Sequence, residues 1–585
     1  MNDRTQQDHS RAASARDPLD MVMRYHQETK HHFSRFARSL GYLDWANQPD
    51  PFRRYEGSPL FALPILKPGD VPASPLYGDL YRPGAIASAS LTVRSLSRLF
   101  EYSLAISAWK QAGEVRWALR SNPSSGNLHP TEAYLLIGDL AGLFPGPGLY
   151  HYAAKEHALE LRAQWPTERL ARLLLGFPPN AFLVGFASVI WREAWKYGER
   201  AFRYCQHDVG HAIGSVRIAA QTLGWRMLLL DGLADGTLAA LLGLDRTEDF
   251  DGAEREHPGC IAVIWPADQA AGAVTGRTSR VPLALAAEAV RDVKRRVWHG
   301  RANRLSRNEP VQWEILDQTV VASWKSSTEQ KVVELHQARP WANPSNHAIQ
   351  LYVGQPSAGQ VIRQRRSALA FDGRTSISAG SFFTMLTRVM PGVERAQTSR
   401  AMPWDVLPWE PAVHLALFVH RVHGLVPGLY FLARDPAKMD WLRRATRQQF
   451  DWTSAAGCPD DLPLFLLQEG DAQALAAELS CRQDIAGESA FSLGMIAEFE
   501  PRLRQHGPWF YRRLFWETGL IGQVLYLEAE AAGVRATGIG CFFDDPVHQV
   551  LGIDDVSFQS LYHFTTGGPV EDPRLTTLPP YGLDH

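Results

Sequence analysis

Asp208-Val-Gly-His-Ala-Ile-Gly, followed by Gly224-Trp-Arg and Leu242-Gly-Leu-Asp245, returns later in the chain. Its second form is Glu517-Thr-Gly-Leu-Ile-Gly-Gln, then Gly533-Val-Arg and Leu551-Gly-Ile-Asp554. The matching glycines Gly210 and Gly519, Gly224 and Gly533, and Gly243 and Gly552 each stand 309 positions apart, so the stretches align without a gap. A repeat of this length marks a duplicated domain. Two tandem copies pack most simply as an internal pseudo-dimer, which puts inside one chain any site that a homodimer would build between subunits. In the first copy Val209, Ala212, Ile213, Val216, Ala219, Ala220 and Leu223 fall at helical spacing and predict a helix over about 207–223. Gly210 and Gly214 lie on or near the same face. A glycine inside a helix costs up to about 1 kcal/mol relative to alanine, so its presence predicts close approach of a second backbone.

Strand-like Thr131-Glu-Ala-Tyr-Leu-Leu-Ile137 and Pro147-Gly-Leu-Tyr-His-Tyr152, the latter echoed by Pro427-Gly-Leu-Tyr-Phe-Leu432, predict antiparallel sheets beside the helices. The expected fold is therefore α+β: two tandem domains, each an antiparallel-rich sheet flanked by helices, packed as an intrachain pseudo-dimer. The expected divisions are a disordered polar tip (1–20), an N-terminal extension (21–87), domain one (88–267), a structured connector (268–345) and domain two (346–585). Within the connector, 281–298 reads as the main helix.

Composition bounds the function. With 45% hydrophobic and 21% charged residues the chain reads as a soluble globular protein. A net charge of -2 gives no electrostatic footprint for nucleic acid or an anionic membrane. No apolar run reaches the roughly 20 residues that span a bilayer. The five cysteines are far apart with no Cys-x-x-Cys pair, which predicts a reducing cytoplasm and neither a disulfide framework nor a zinc site. His26, His31 and His32 lack ligand spacing and read as a surface helix, with no metal expected.

Four stretches carry chemistry. Pro123-Ser124-Ser125-Gly126-Asn127 offers a rigid turn with small donors and acceptors, suited to the edge of a planar heteroaromatic ring or to a polar turn before a strand. Lys196-Tyr197 opens a charged stretch, Lys-Tyr-Gly-Glu-Arg-Ala-Phe-Arg-Tyr204, just ahead of the glycine-bearing helix. Arg365-Arg366-Ser367 can hold a phosphate through guanidinium forks and a hydroxyl, or form a solvated helix end. Gly538-Ile539-Gly540 lets a ring approach the backbone, or makes a tight turn between strand and helix.

In order, Arg-x-x-Pro-Ser-x-Gly…Pro-x-Glu, Gly-Leu-Tyr-x-Tyr, Lys-Tyr-Gly-x-Arg-Ala-x-Arg-Tyr and Asp-x-Gly-His resemble the SagB-type azoline dehydrogenase branch of the nitroreductase-like flavoproteins, here in tandem form. The resemblance implies an FMN-dependent oxidoreductase that oxidises a peptide thiazoline or oxazoline to the azole, with a cyclodehydratase as partner. It implies Lys196 and Tyr197 as catalytic groups and Pro123, Ser124, Ser125, Gly126 and Asn127 along one flavin edge. Arg365, Arg366, Ser367 and Arg574 would hold the phosphate, and Gly538, Ile539 and Gly540 would face N5. Two alternatives stand beside it: an NAD(P)H-dependent nitro or quinone reductase, and a flavin-free degenerate pair that binds a peptide or a protein partner. The motifs divide unequally between the copies. Domain one has no Arg-Arg-Ser before Leu91 and carries Leu229-Leu230-Asp231 in place of the Gly-Ile-Gly loop, while domain two has Gln505-His506 opposite Lys196-Tyr197. One composite site is expected, not two.

Overall fold

The computed structural model describes residues 17–582 apart from 68, 268–278, 287–289, 291–295, 310, 336–354 and 393–399. It holds two seven-stranded sheets built to one plan. The first runs Leu60–Ala62, Ala158–Gln164, Gly148–Ala153, Thr131–Ile137, Phe182–Ser188, His257–Pro266, Trp225–Leu229. The second runs Thr453–Ser454, Leu464–Glu469, Gly428–Leu432, Val413–Val419, Phe491–Glu498, Phe558–Gly567, Arg535–Ile539. Every neighbouring pair is antiparallel. The helices obey the same offset: Ala201–Thr222 corresponds to Phe510–Ala531, and Asp235–Leu242 to Asp544–Leu551. The two shorter helices end on left-handed glycines, Gly243 (φ 72°) and Gly552 (φ 76°), because an L side chain is strained there.

The long helices cross at their equivalent glycines. A Cβ on Gly210 would lie 2.9 Å from Gly519 Cα and 2.8 Å from Trp516 Cα; one on Gly519 would lie 2.8 Å from both Gly210 Cα and His211 N. The pseudo-two-fold axis thus passes between Gly210 and Gly519, and one continuous core containing Ile213, Val216, Leu520 and Val524 spans both halves. The chain ends also interlock. Thr576–Leu578 adds a strand to the domain-one hairpin Ile106–Ala112 and Val115–Arg120, and Leu60–Ala62 of the extension edges the first sheet.

Three expectations change. Of the tip expected over 1–20, Asp17 to Asp20 are ordered, since Pro18–Glu28 is a helix capped by Asp17, and residues 1–16 lie outside the described ones. His26 and His31 are buried rather than on a surface helix, because that first helix packs on the second half, where the His26 ring lies 4.3 Å from that of Phe499. Val281, expected to start a helix, sits in the strand Ser279–Pro282 opposite Val333, a pairing that buries two β-branched side chains; much of 281–298 lies outside the described residues. No helix among the described residues is long and apolar enough to cross a membrane.

Candidate active site between the halves

The Pro123–Asn127 turn and the Lys196-Tyr197 pair meet. Gly126 (φ 58°) stands where a Cβ would be 2.6 Å from the Tyr197 hydroxyl and 3.2 Å from Lys196 Nζ, so only glycine leaves that space clear. The turn is held from below by the long helix: Asp208 Oδ1 accepts the Ser125 amide (3.0 Å) and hydroxyl (3.1 Å). Ser124 Oγ accepts the His129 amide, and Asn127 donates to the Ala118 carbonyl. Lys196 and Tyr197 end the Ile190–Tyr197 helix, which Gly198 (φ 54°) terminates. The Tyr197 ring lies 4.3 Å from that of Tyr204. Burial, with Glu193 adding, raises the Tyr197 phenol well above its ordinary value, so its hydroxyl stays protonated.

Domain two closes on this place from the other side. A Cβ on Gly540 would strike the Tyr204 ring and one on Gly538 the Tyr562 ring. Tyr562 stacks on His207 at 4.1 Å and reaches His211 Nε2 at 3.2 Å, both on the domain-one helix. The Tyr526 hydroxyl links the Gly538 amide (2.9 Å) to Ser367 Oγ (3.0 Å). Arg365, buried, donates to the carbonyls of Arg120 and Ser121 (2.9 and 3.2 Å), while its Nη1 has no hydrogen-bond partner among the described residues. Ile539 is buried in the sheet and belongs to the domain-two core.

The cations crowd. Burial, then the neighbouring Arg365, pushes Arg366 down to about 10, with Arg535 acting in the same direction. Burial also lowers Lys110, and Arg366 and Arg535 add to that effect. Arg535 stands where domain one has Arg226 in the repeat, so the duplication itself could have singled it out. Arg574 is not brought into the cluster: it is exposed and forks onto Asp572 in its own turn, and it has no contact with the other site residues among the described ones.

The reciprocal place is plugged. Asp231 occupies the position of Gly540 and Arg513 that of Tyr204, and the two form an ion pair at 2.8 Å. The flanking pair Arg203–Asp544 is matched by Arg512–Asp235, so the framework is symmetric while the centre is not.

Asp208 and Glu517 are likewise equivalent in the repeat, yet their surroundings differ. Glu517 is neutralised by buried Arg434. Asp208 has no ion pair among the described residues, and burial pushes its carboxyl up to about 7 against the hydrogen bonds from the serine turn. A raised folded-state pKa means that folding favours the neutral acid, so stability falls as pH climbs from about 4 to about 7. Asp208→Asn removes that loss. Its melting temperature relative to wild type is expected to rise between pH 5 and pH 8, by the equivalent of on the order of 3 kcal/mol; parallel profiles would contradict the assignment.

The nitroreductase family model matches residues 110–253 and 429–568. The family model therefore matches the chain twice, once in each half. A nitroreductase-like protein of Methanocaldococcus jannaschii is 24% identical over 161 residues, covering 26% of this chain and 76% of that protein. Trifolitoxin-processing protein TfxB of Rhizobium leguminosarum is 30% identical over 132 residues, covering 21% of this chain and 35% of TfxB. A nitroreductase-like protein of Anabaena variabilis, known from its crystal structure, shares the fold at a TM-score of 0.63 and 20% identity, over 94% of this chain and 99% of that one. The two nitroreductase-like halves are thus a tandem arrangement shared with another protein.

Proposed function

We propose that this nitroreductase-fold protein is an FMN-dependent oxidoreductase with one flavin site between its halves, and that it oxidises a thiazoline or oxazoline in a modified peptide. The observation that carries the reading is the convergence of Gly126, Lys196 and Tyr197 from one half with Gly538, Gly540 and Arg365 from the other. FMN fits these residues. Its phosphate suits Arg365 Nη1, which has no hydrogen-bond partner among the described residues, and the neighbouring Arg366, whose charge is disfavoured by burial and by Arg365. Its ring suits the meeting place of Ser124, Ser125 and Gly126 with Gly538 and Gly540, where the Tyr204 and Tyr562 rings pack against the last two glycines.

When bound, FMN supplies a two-electron acceptor. The chain's own residues handle the proton and the orientation. Lys196 takes the proton from the ring carbon next to the carbonyl. Tyr197, kept protonated, donates a hydrogen bond that orients the substrate beside Lys196. Asp208 holds the serine turn that sets the distance between them. The name of TfxB, a toxin-processing protein, supports a peptide as substrate, and a cyclodehydratase would be the enzyme that supplies the azoline.

The purified protein should be yellow, with about one FMN per chain. Arg365→Ala is expected to lower FMN retention about 100-fold, since it removes a charge-assisted donor from a buried site. Absorbance after gel filtration reads this directly. A colourless wild type that added FMN does not restore would sink the proposal, and two flavins per chain would sink the single-site reading.

A further inference from the structure

His31, Cys481 and Cys541 come from three distant parts of the chain: the segment after the first helix, the turn after Gln473–Leu479, and the residue following Gly540. Their ligand atoms all lie within 4.8 Å of one another. Cys541 Sγ is 3.5 Å and Cys481 Sγ 3.8 Å from His31 Nδ1. Tetrahedral zinc, with Zn–S near 2.3 Å and Zn–N near 2.0–2.1 Å, sets sulfur and nitrogen about 3.6 Å apart. Both observed separations are therefore close to edges of such a tetrahedron.

We infer that His31, Cys481 and Cys541 bind a zinc ion, with the fourth position open to water. Two thiolates and one imidazole favour a borderline-soft ion over magnesium or calcium, and the two thiolate charges balance the ion's. The scaffold holds all three residues without the ion. The His31 amide donates to Asp544 Oδ2 (2.9 Å), and the Asp544 amide donates back to the His31 carbonyl (3.2 Å). Gln483 Nε2 donates to the Cys541 carbonyl (3.0 Å), and the Phe543 amide to the Leu479 carbonyl (2.8 Å). His31 is buried while both cysteines are partly exposed, which leaves the ion a route from solvent. The ion would tie the N-terminal segment to the loop carrying Gly538 and Gly540, beside the site between the halves. Sequence spacing alone gave no sign of it, because the ligands are 450 and 510 residues apart.

The test uses the full chain purified under reductant without chelator, with zinc measured by mass spectrometry and cobalt(II) as a spectroscopic probe. About one zinc per chain is expected, and cobalt should give near-ultraviolet thiolate charge-transfer bands. Cys541→Ser, Cys481→Ser and His31→Gln should each lower metal content at least about tenfold, circular dichroism confirming that they fold. Should a variant fail to fold, thiol titration of wild type decides: zinc should protect two thiols that a chelator then exposes. The inference is overturned by a wild type that takes up neither metal at micromolar concentration, by folded variants that keep full stoichiometry, or by a Cys481–Cys541 disulfide that persists in reductant. None of these readouts depends on flavin.

Discussion

Lys196→Ala is expected to fold, to keep its FMN and to lose azoline oxidation by about 10²–10⁴-fold, the range that a positioned general base contributes. Three features separate this lysine from an ordinary helix-end cation. Its Nζ would lie 3.2 Å from a Cβ built on Gly126. It forms no ion pair among the described residues. The carboxyl one turn earlier, Glu193, is buried with no hydrogen-bond partner among the described residues, and burial, with Asp208 adding, raises it well above the usual carboxylate range. Tyr197→Phe keeps the ring against Tyr204 and removes only the hydroxyl, so its loss should be smaller, about tenfold. Turnover of an azoline-bearing peptide, read beside the flavin spectrum of each variant, checks both. A Lys196→Ala enzyme that turns over at the wild-type rate would falsify the base assignment. A wild type that reduces nitro compounds with NAD(P)H but leaves azolines untouched would shift the function to the reductase reading.

What could be read from the chain depended on whether a signal was local or repeated. Thr131–Ile137 is a strand over the predicted residues because its apolar run is self-contained and bounded by Pro130 and Gly138. The long helix was found through its apolar face but begins at Ala201, before the predicted 207, since Arg203 of its first turn finds its partners far off in sequence, at Asp544 and the His26 carbonyl. Arg574 was read from the glycines near it in sequence, which say nothing of the carboxylate two residues away that it forks onto at the surface. Asp208 stood in the repeat and in a matched motif without a role, and Tyr526 and Tyr562 were not singled out, because each acts on a residue far off in sequence: Ser125, Ser367 and His211 respectively. The plugged second place was foreseen only as missing motifs; that Arg513 and Asp231 fill it emerges when the two halves are superposed by their offset.

Gly519→Val should be among the most destabilising single changes available, costing about 3–5 kcal/mol. Its Cβ would fall 2.8 Å from Gly210 Cα and His211 N. These are backbone atoms of a buried helix, so no rotamer change relieves the clash; the helices themselves must separate, and the shared core opens with them. Gly533 is the control: its φ of 75° strains any L residue, but open space surrounds it, so Gly533→Ala should cost only about 1 kcal/mol. Gly210→Val should match Gly519→Val, because the pseudo-dyad makes the two clashes equivalent. The double alanine variant should then lose less than the sum of its singles, since the separation forced by one methyl makes room for the other. Because the candidate site is built across this crossing, Gly519→Val should also release FMN although it touches none of the proposed ligands. Melting curves and flavin retention measured together decide it: a variant that melts within a few degrees of wild type and stays yellow would show that the halves are not held by this contact.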